Sequence, residues 1–179
     1  MSYADMPGTQ CEIFVAAAPP RVWEIVTDIE APARWSPELQ RAEWLDGAAA
    51  PALGARFAGY NRHPLIGDWR TVSQITELAP ERAFAWCVLD ADGRFGTTTP
   101  DPAEPMATWR FALTPEAGGT LLRQTVRIGP GRSGLSAAID RMPEKEDRLV
   151  AHRLGELRDG MHATLNGIKA DAEQAQQAS

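Results

Sequence analysis

Arginines are the first candidates for chemistry in this chain. Arg70, Arg110 and Arg123 fall on segments with strand-like alternation, and Tyr60 lies on another. An inward cation would stabilise an enolate, and a phenol beside it would move protons. Arg110, however, alternates with Trp109 and Phe111, so if those rings face inward it faces water. Arg153 falls in a helical pattern about 80° from the centre of that helix's apolar stripe, a flank from which it would reach polar atoms of a ligand. A solvated or ion-paired surface arginine is the competing reading for each. No catalytic set emerges from residue types and spacing alone.

The remaining candidates are few. His152 and His162 lie ten positions apart on the polar side of the same helical pattern, a spacing unlike the i, i+4 pairs that bind zinc. His63, in the turn His63-Pro64-Leu65, would overhang a cavity mouth or simply occupy a loop. Gly129-Pro130-Gly131-Arg132-Ser133-Gly134 fits G-x-G-x-x-G, but only a helix follows before the chain ends, whereas a dinucleotide site needs a βαβ unit. Those glycines predict a flexible loop at a cavity mouth. No Gly-x-Ser-x-Gly elbow occurs, and neither Cys11 nor Cys87 has a base nearby in sequence. No metal and no cofactor is expected.

What positions these groups is legible in the periodicity. Val150, Leu154, Leu157, Met161, Leu165 and Ile168 recur at helical spacing within a stripe of roughly 80°. Pro143 suits a first helical turn, and Glu144, Glu146 and Asp147 suit the positive end of the dipole. Thr9 to Ala17 alternates like a strand, and Pro19-Pro20 opens a helix with Val22, Ile25, Val26 and Ile29 on one face. Six further strands are predicted near 39–46, 54–62, 68–78, 83–90, 106–114 and 120–128, separated by Gly, Pro and Asp turns. Residues 129–142 form a Gly/Pro-rich link with one turn of helix; residues 1–8 read as a loose start and 170–179 as a frayed end. Strand, two short helices, six strands and a long helix describe an α+β layer built on antiparallel hairpins.

The chain of 179 residues, 44% hydrophobic and 23% charged, is read as a single soluble domain, 1–179. A net charge of −6, from 18 basic and 24 acidic residues, argues against a nucleic-acid partner. No apolar stretch is long enough to span a membrane, the first residues do not read as a secretory signal, and two cysteines make no disulfide framework. A cytoplasmic location is the expectation; the oligomeric state is not addressed by the sequence.

The sequence resembles the START-like (SRPBCC) superfamily, and within it the polyketide cyclase/dehydrase and lipid-transport group. The features that carry this are Ala18-Pro19-Pro20-Arg21-Val22-Trp23, Trp35-Ser36-Pro37-Glu38, Glu43-Trp44-Leu45-Asp46-Gly47, Gly54-Ala55-Arg56-Phe57, the run Glu77 to Trp86, and Thr108-Trp109-Arg110-Phe111. The resemblance implies a helix-grip fold: a seven-stranded curved antiparallel sheet wrapped around the C-terminal helix, with an apolar cavity between them. It implies a hydrophobic small-molecule ligand, lipid- or polyketide-like, carried, sensed, or cyclised and dehydrated on the same cavity. A chaperone-activator-like interaction module is a further alternative, since fold does not determine function.

Six tryptophans either fill the core or wall that cavity. Trp109, Phe111 and Leu113 share one strand face, taken as inward. Phe84, Trp86 and Val88 do the same, although Ala85, Cys87 and Leu89 opposite them are apolar too. The expected ligand-binding set is Trp86, Trp109 and Phe111 from the sheet with Leu154, Leu157 and Met161 from the helix, and Arg153 at its flank. A pocket of about 300–1,000 Å³ is expected.

Overall fold

The computed structural model describes residues 1–174. Seven strands form one sheet: β1 (Gly8–Val15), β2 (Leu39–Trp44), β3 (Arg56–His63), β4 (Gly67–Ala79), β5 (Ala83–Leu89), β6 (Ala107–Glu116) and β7 (Gly119–Ile128). Their order across the sheet is β1-β7-β6-β5-β4-β3-β2, and every pairing is antiparallel. Consecutive strands from β2 to β7 are neighbours. Tight turns join β3 to β4, β4 to β5 and β6 to β7, which suits an antiparallel ladder, while longer connections, 45–55 and 90–106, join β2 to β3 and β5 to β6. Between β1 and β2 runs α1 (Pro19–Val26), with Pro at its start and Val22, Ile25 and Val26 buried, followed by a 3-10 turn at Ala31–Arg34.

The long C-terminal helix α3 (Glu146–Gln174) lies on the inner face of the sheet. Val150, Met161, Leu165, Ile168 and Ala172 are buried, so the predicted stripe does face the core, at a gain of about 1.5–3 kcal/mol for each large side chain. Two lines of contact hold it. On one flank it packs most closely on β1, where Arg158 donates to Thr9 Oγ1 and Lys169 Nζ donates to the Phe14 carbonyl. On the other, the segment after the 3-10 turn lies against its glycines: Pro37 on Gly160 and the Trp35 ring on Gly167. A Cβ on Gly167 would come within 2.2 Å of that ring, so only glycine admits the approach.

Both chain ends differ from their expected state. Residues 170–174 continue α3 instead of fraying, and residues 175–179 lie outside the described part. The start is fastened: Tyr3–Asp5 forms a capped 3-10 turn, Ser2 Oγ and the Tyr3 N–H donate to Glu146, and the Tyr3 hydroxyl donates to the Gly131 carbonyl. The acidic first turn of α3 therefore collects N–H and O–H donors from the N-terminal segment. The link after β7 is also more structured than its composition suggests. Gly129 and Gly131 donate to the Met106 and Pro105 carbonyls, and a Ser133/Ser136 capping box starts α2 (Gly134–Arg141), two turns long.

Candidate functional site

A curved sheet and a straight helix diverge away from their line of contact, and here a cavity of about 240 Å³ opens between them. Alternation along the strands supplies its floor. Phe84, Trp86 and Val88 of β5, Trp109 and Phe111 of β6, and Gln124 and Val126 of β7 all face it, with Phe57 of β3 and Thr71 and Ser73 of β4. The indole planes of Trp86 and Trp109 lie 10° from parallel with centroids 6.4 Å apart, and Phe84, Phe57 and Phe111 surround Trp86 at 5.3 to 6.3 Å. Trp86 is thus the hub of an aromatic wall suited to flat or acyl ligands. Leu157, Gly160, Met161 and Thr164 of α3 form the roof. The cavity is smaller than the 300–1,000 Å³ expected because these rings fill much of the gap they wall.

Four segments meet at the mouth: residues 36–39, the β3–β4 turn with Ile66, the β5–β6 connection with Phe95, and the start of α2 with Ser133, Gly134 and Leu135. Asp90 organises the third; its buried carboxylate accepts the N–H groups of Arg94 and Phe95. Of the glycine motif after β7, Ser133 and Gly134 line the cavity, and the motif is a bonded turn into a capped helix instead of a flexible loop.

The charged chemistry is concentrated here. Arg153 Nη2 donates to Glu38 Oε2 at 2.9 Å and Nη1 to Glu156 Oε2 at 3.2 Å, and His63 Nε2 lies 3.1 Å from Glu156 Oε1. Burial opposes the charge on Arg153, but its bonds to Glu38 and Glu156 outweigh that and hold the guanidinium above its ordinary value. Burial likewise raises the Glu156 carboxyl, and the bonds from His63 and Arg153 overcome it, leaving the carboxyl below its ordinary value. Glu38, His63 and Glu156 bring ligand atoms within 4.8 Å of one another, a spacing that suits a cation. The Arg153 guanidinium fills the cationic role between the two carboxylates.

This architecture agrees with the sequence comparison. Residues 6–173 match the family described as polyketide cyclase / dehydrase and lipid transport. The chain belongs to that family. No curated protein matches the sequence. Among solved structures, the chain is similar to the polyketide cyclase-like protein Cgl2372 from Corynebacterium glutamicum, with 26% identity and a TM-score of 0.60 over 90% of this chain and 88% of that one. The ZhuI aromatase/cyclase from Streptomyces sp. R1128 shares the fold at 16% identity and a TM-score of 0.64, covering 94% of each chain. The di-domain aromatase/cyclase StfQ of the steffimycin biosynthetic pathway superposes with a TM-score of 0.67 at 16% identity, over 95% of this chain and 51% of that one.

Within this polyketide cyclase/dehydrase frame, Trp86, Trp109, Phe111, Arg153, Leu157 and Met161 line the cavity, and Leu154 does not. Leu154 is half-buried and lies about 60° around the helix from Leu157, toward the side of Arg158. The strand arginines leave the site: Arg110 pairs with Glu77, Arg123 with Glu12 and Arg70 with Asp92. Tyr60 donates to Glu43, and no Tyr60 atom lines the cavity. Gln124, Glu38 and Glu156 were missed by sequence reasoning. Gln124 had a readable signal, a polar residue between Leu122 and Val126 on a largely apolar strand face. Glu156 had none, since its helical position reads as solvent-facing.

Proposed function

We propose that this protein binds an apolar small molecule in the cavity between the sheet and α3. The observation that carries the reading is the aromatic wall around Trp86 facing Leu157 and Met161 across an open volume. Such a wall costs stability if it stays open, because side chains beside a void lose contacts that a close-packed core would give them. Family membership supports the same reading. We place the binding in the cytoplasm, which suits two free cysteines.

Polycyclic fluorescent probes should bind at micromolar concentration and quench tryptophan emission. Leu157→Trp, which fills the roof, should weaken that binding at least tenfold while the melting temperature stays within a few degrees. Absence of probe binding to the parent, together with unfolding of Leu157→Trp, would show a solid core and end the ligand-binding reading.

A second reading is an enzyme of the cyclase or dehydratase kind acting in the same cavity. The Glu38–Arg153–Glu156 cluster favours it, since these titratable groups line an apolar space, with His63 bonded to Glu156 behind them. Turnover of a linear poly-β-ketone that is lost in His63→Ala would separate it from simple carriage.

A further inference from the structure

Gln124 is 5% exposed, sits at mid-strand on the inner face of β7 and lines the cavity, yet its Oε1 has no hydrogen-bond partner. Three buried side-chain atoms among the described residues lack a partner: Arg21 Nε, Arg56 Nε and Gln124 Oε1. Only the last belongs to a residue lining the cavity. A buried amide without a partner is destabilising, and native proteins seldom keep one without use. Leucine or methionine would fill the same place between Leu122 and Val126 at no such cost. The charge around the cavity restricts the ligand further. Its ionisable lining consists of Asp28, Glu38, Glu156 and Arg153, and Arg153 is already bonded to both glutamates. Among the described residues that line the cavity, no free cation is left to hold an anionic head group.

We propose that Gln124 selects the ligand, and that the ligand is a neutral, hydroxyl-bearing apolar molecule whose O–H donates to the Gln124 amide oxygen deep in the cavity. This rests on the ligand-binding reading and names the class of molecule. A hydroxyl suits an amide well, because it donates to the oxygen and also accepts from the NH2 if the group turns. The apolar remainder of the ligand lies against Trp86 and Trp109.

The test uses small bicyclic probes: 2-naphthol, its methyl ether 2-methoxynaphthalene, naphthalene and 2-naphthoate. The parent protein should bind 2-naphthol more tightly than 2-methoxynaphthalene, which lacks the donor, and should bind 2-naphthoate most weakly. In Gln124→Met the ratio of 2-naphthol to naphthalene affinity should fall about tenfold, the loss of one buried hydrogen bond. That variant should melt no lower than the parent, since an orphan amide is gone. If the probes bind but 2-naphthol and its ether bind equally, or the ratio survives in Gln124→Met, Gln124 is not the selector and the cavity reading stands. Preferred binding of 2-naphthoate overturns the neutral class. Should no probe bind the parent, the cavity reading fails and this proposal with it. If Gln124→Met does not fold, the comparison of 2-naphthol with its ether in the parent still decides.

Discussion

Arg153 is the side chain whose role changes most between sequence and structure. A flanking arginine was expected to reach into the ligand, and it does line the cavity, but its guanidinium is taken up by Glu38 and Glu156. It therefore acts first as a tie between α3 and the segment after the 3-10 turn. Glu156 is the better handle for testing that tie. Its folded-state carboxyl sits below the ordinary value of 4.5, so the ionised form is favoured by folding. The associated stability is present above about pH 4.5 and is lost as pH falls through the folded-state value. At pH 7, Glu156→Gln should be less stable than the parent by about 1 kcal/mol, a partly exposed pair being worth no more. The gap should close as the pH is lowered from 5 to 3 in denaturant titrations. Parallel curves for the two proteins over that range would show that Glu156 gains nothing from His63 and Arg153.

At the level of elements, α3 makes the site by being held on both flanks while its middle stands off the sheet. Its apolar stripe is legible in the sequence because spacings of three and four place side chains on one face whatever the surroundings. Met161→Asp puts a carboxylate on that face at a position 1% exposed and should cost about 3 kcal/mol or more. His162, its neighbour, is exposed, and His162→Asp should change stability by no more than about 0.5 kcal/mol. Equal melting temperatures for the two variants would mean that the helix is rotated from the position described. The two glycines on the flank, Gly160 and Gly167, mark the approach of Pro37 and Trp35. Nothing local in the sequence says what lies against them.

Across the whole molecule, the sheet order sets which groups can meet. Cys11 on β1 and Cys87 on β5 have β7 and β6 between them. At about 4.8 Å per strand their strands are roughly 14 Å apart, twice the reach of a disulfide, and Cys87 is further offset along β5 from Phe84, which the register sets opposite Cys11. Burial raises both thiols above their ordinary value, which makes them poor nucleophiles. A thiol titration should count two per chain after denaturation without reductant, and react slowly before it. A count of zero would contradict the strand order. The same order brings the β3–β4 turn, the β5–β6 connection and α2 to one end of the sheet, where they frame the mouth.

Local periodicity by itself determined the seven strands, the apolar face of α3 and the inward row of β6, and hence an α+β layer of antiparallel hairpins. The helix-grip wrapping was implied by the family resemblance, and the inward row of β5 was left between two apolar faces. Alternation and helical spacing are properties of neighbouring residues, so they survive without the rest of the chain. Only the tertiary structure decided that Leu154 stays out of the cavity, that the cavity shrinks to about 240 Å³, and that Gln124 stands unpartnered inside it. It also decided that Glu38 meets Arg153 across 115 positions and His63 meets Glu156 across 93. Those outcomes depend on how far the sheet curls and which flank of the helix overhangs the gap. Such quantities arise from contacts between distant segments, and no pattern of spacing within one segment encodes them.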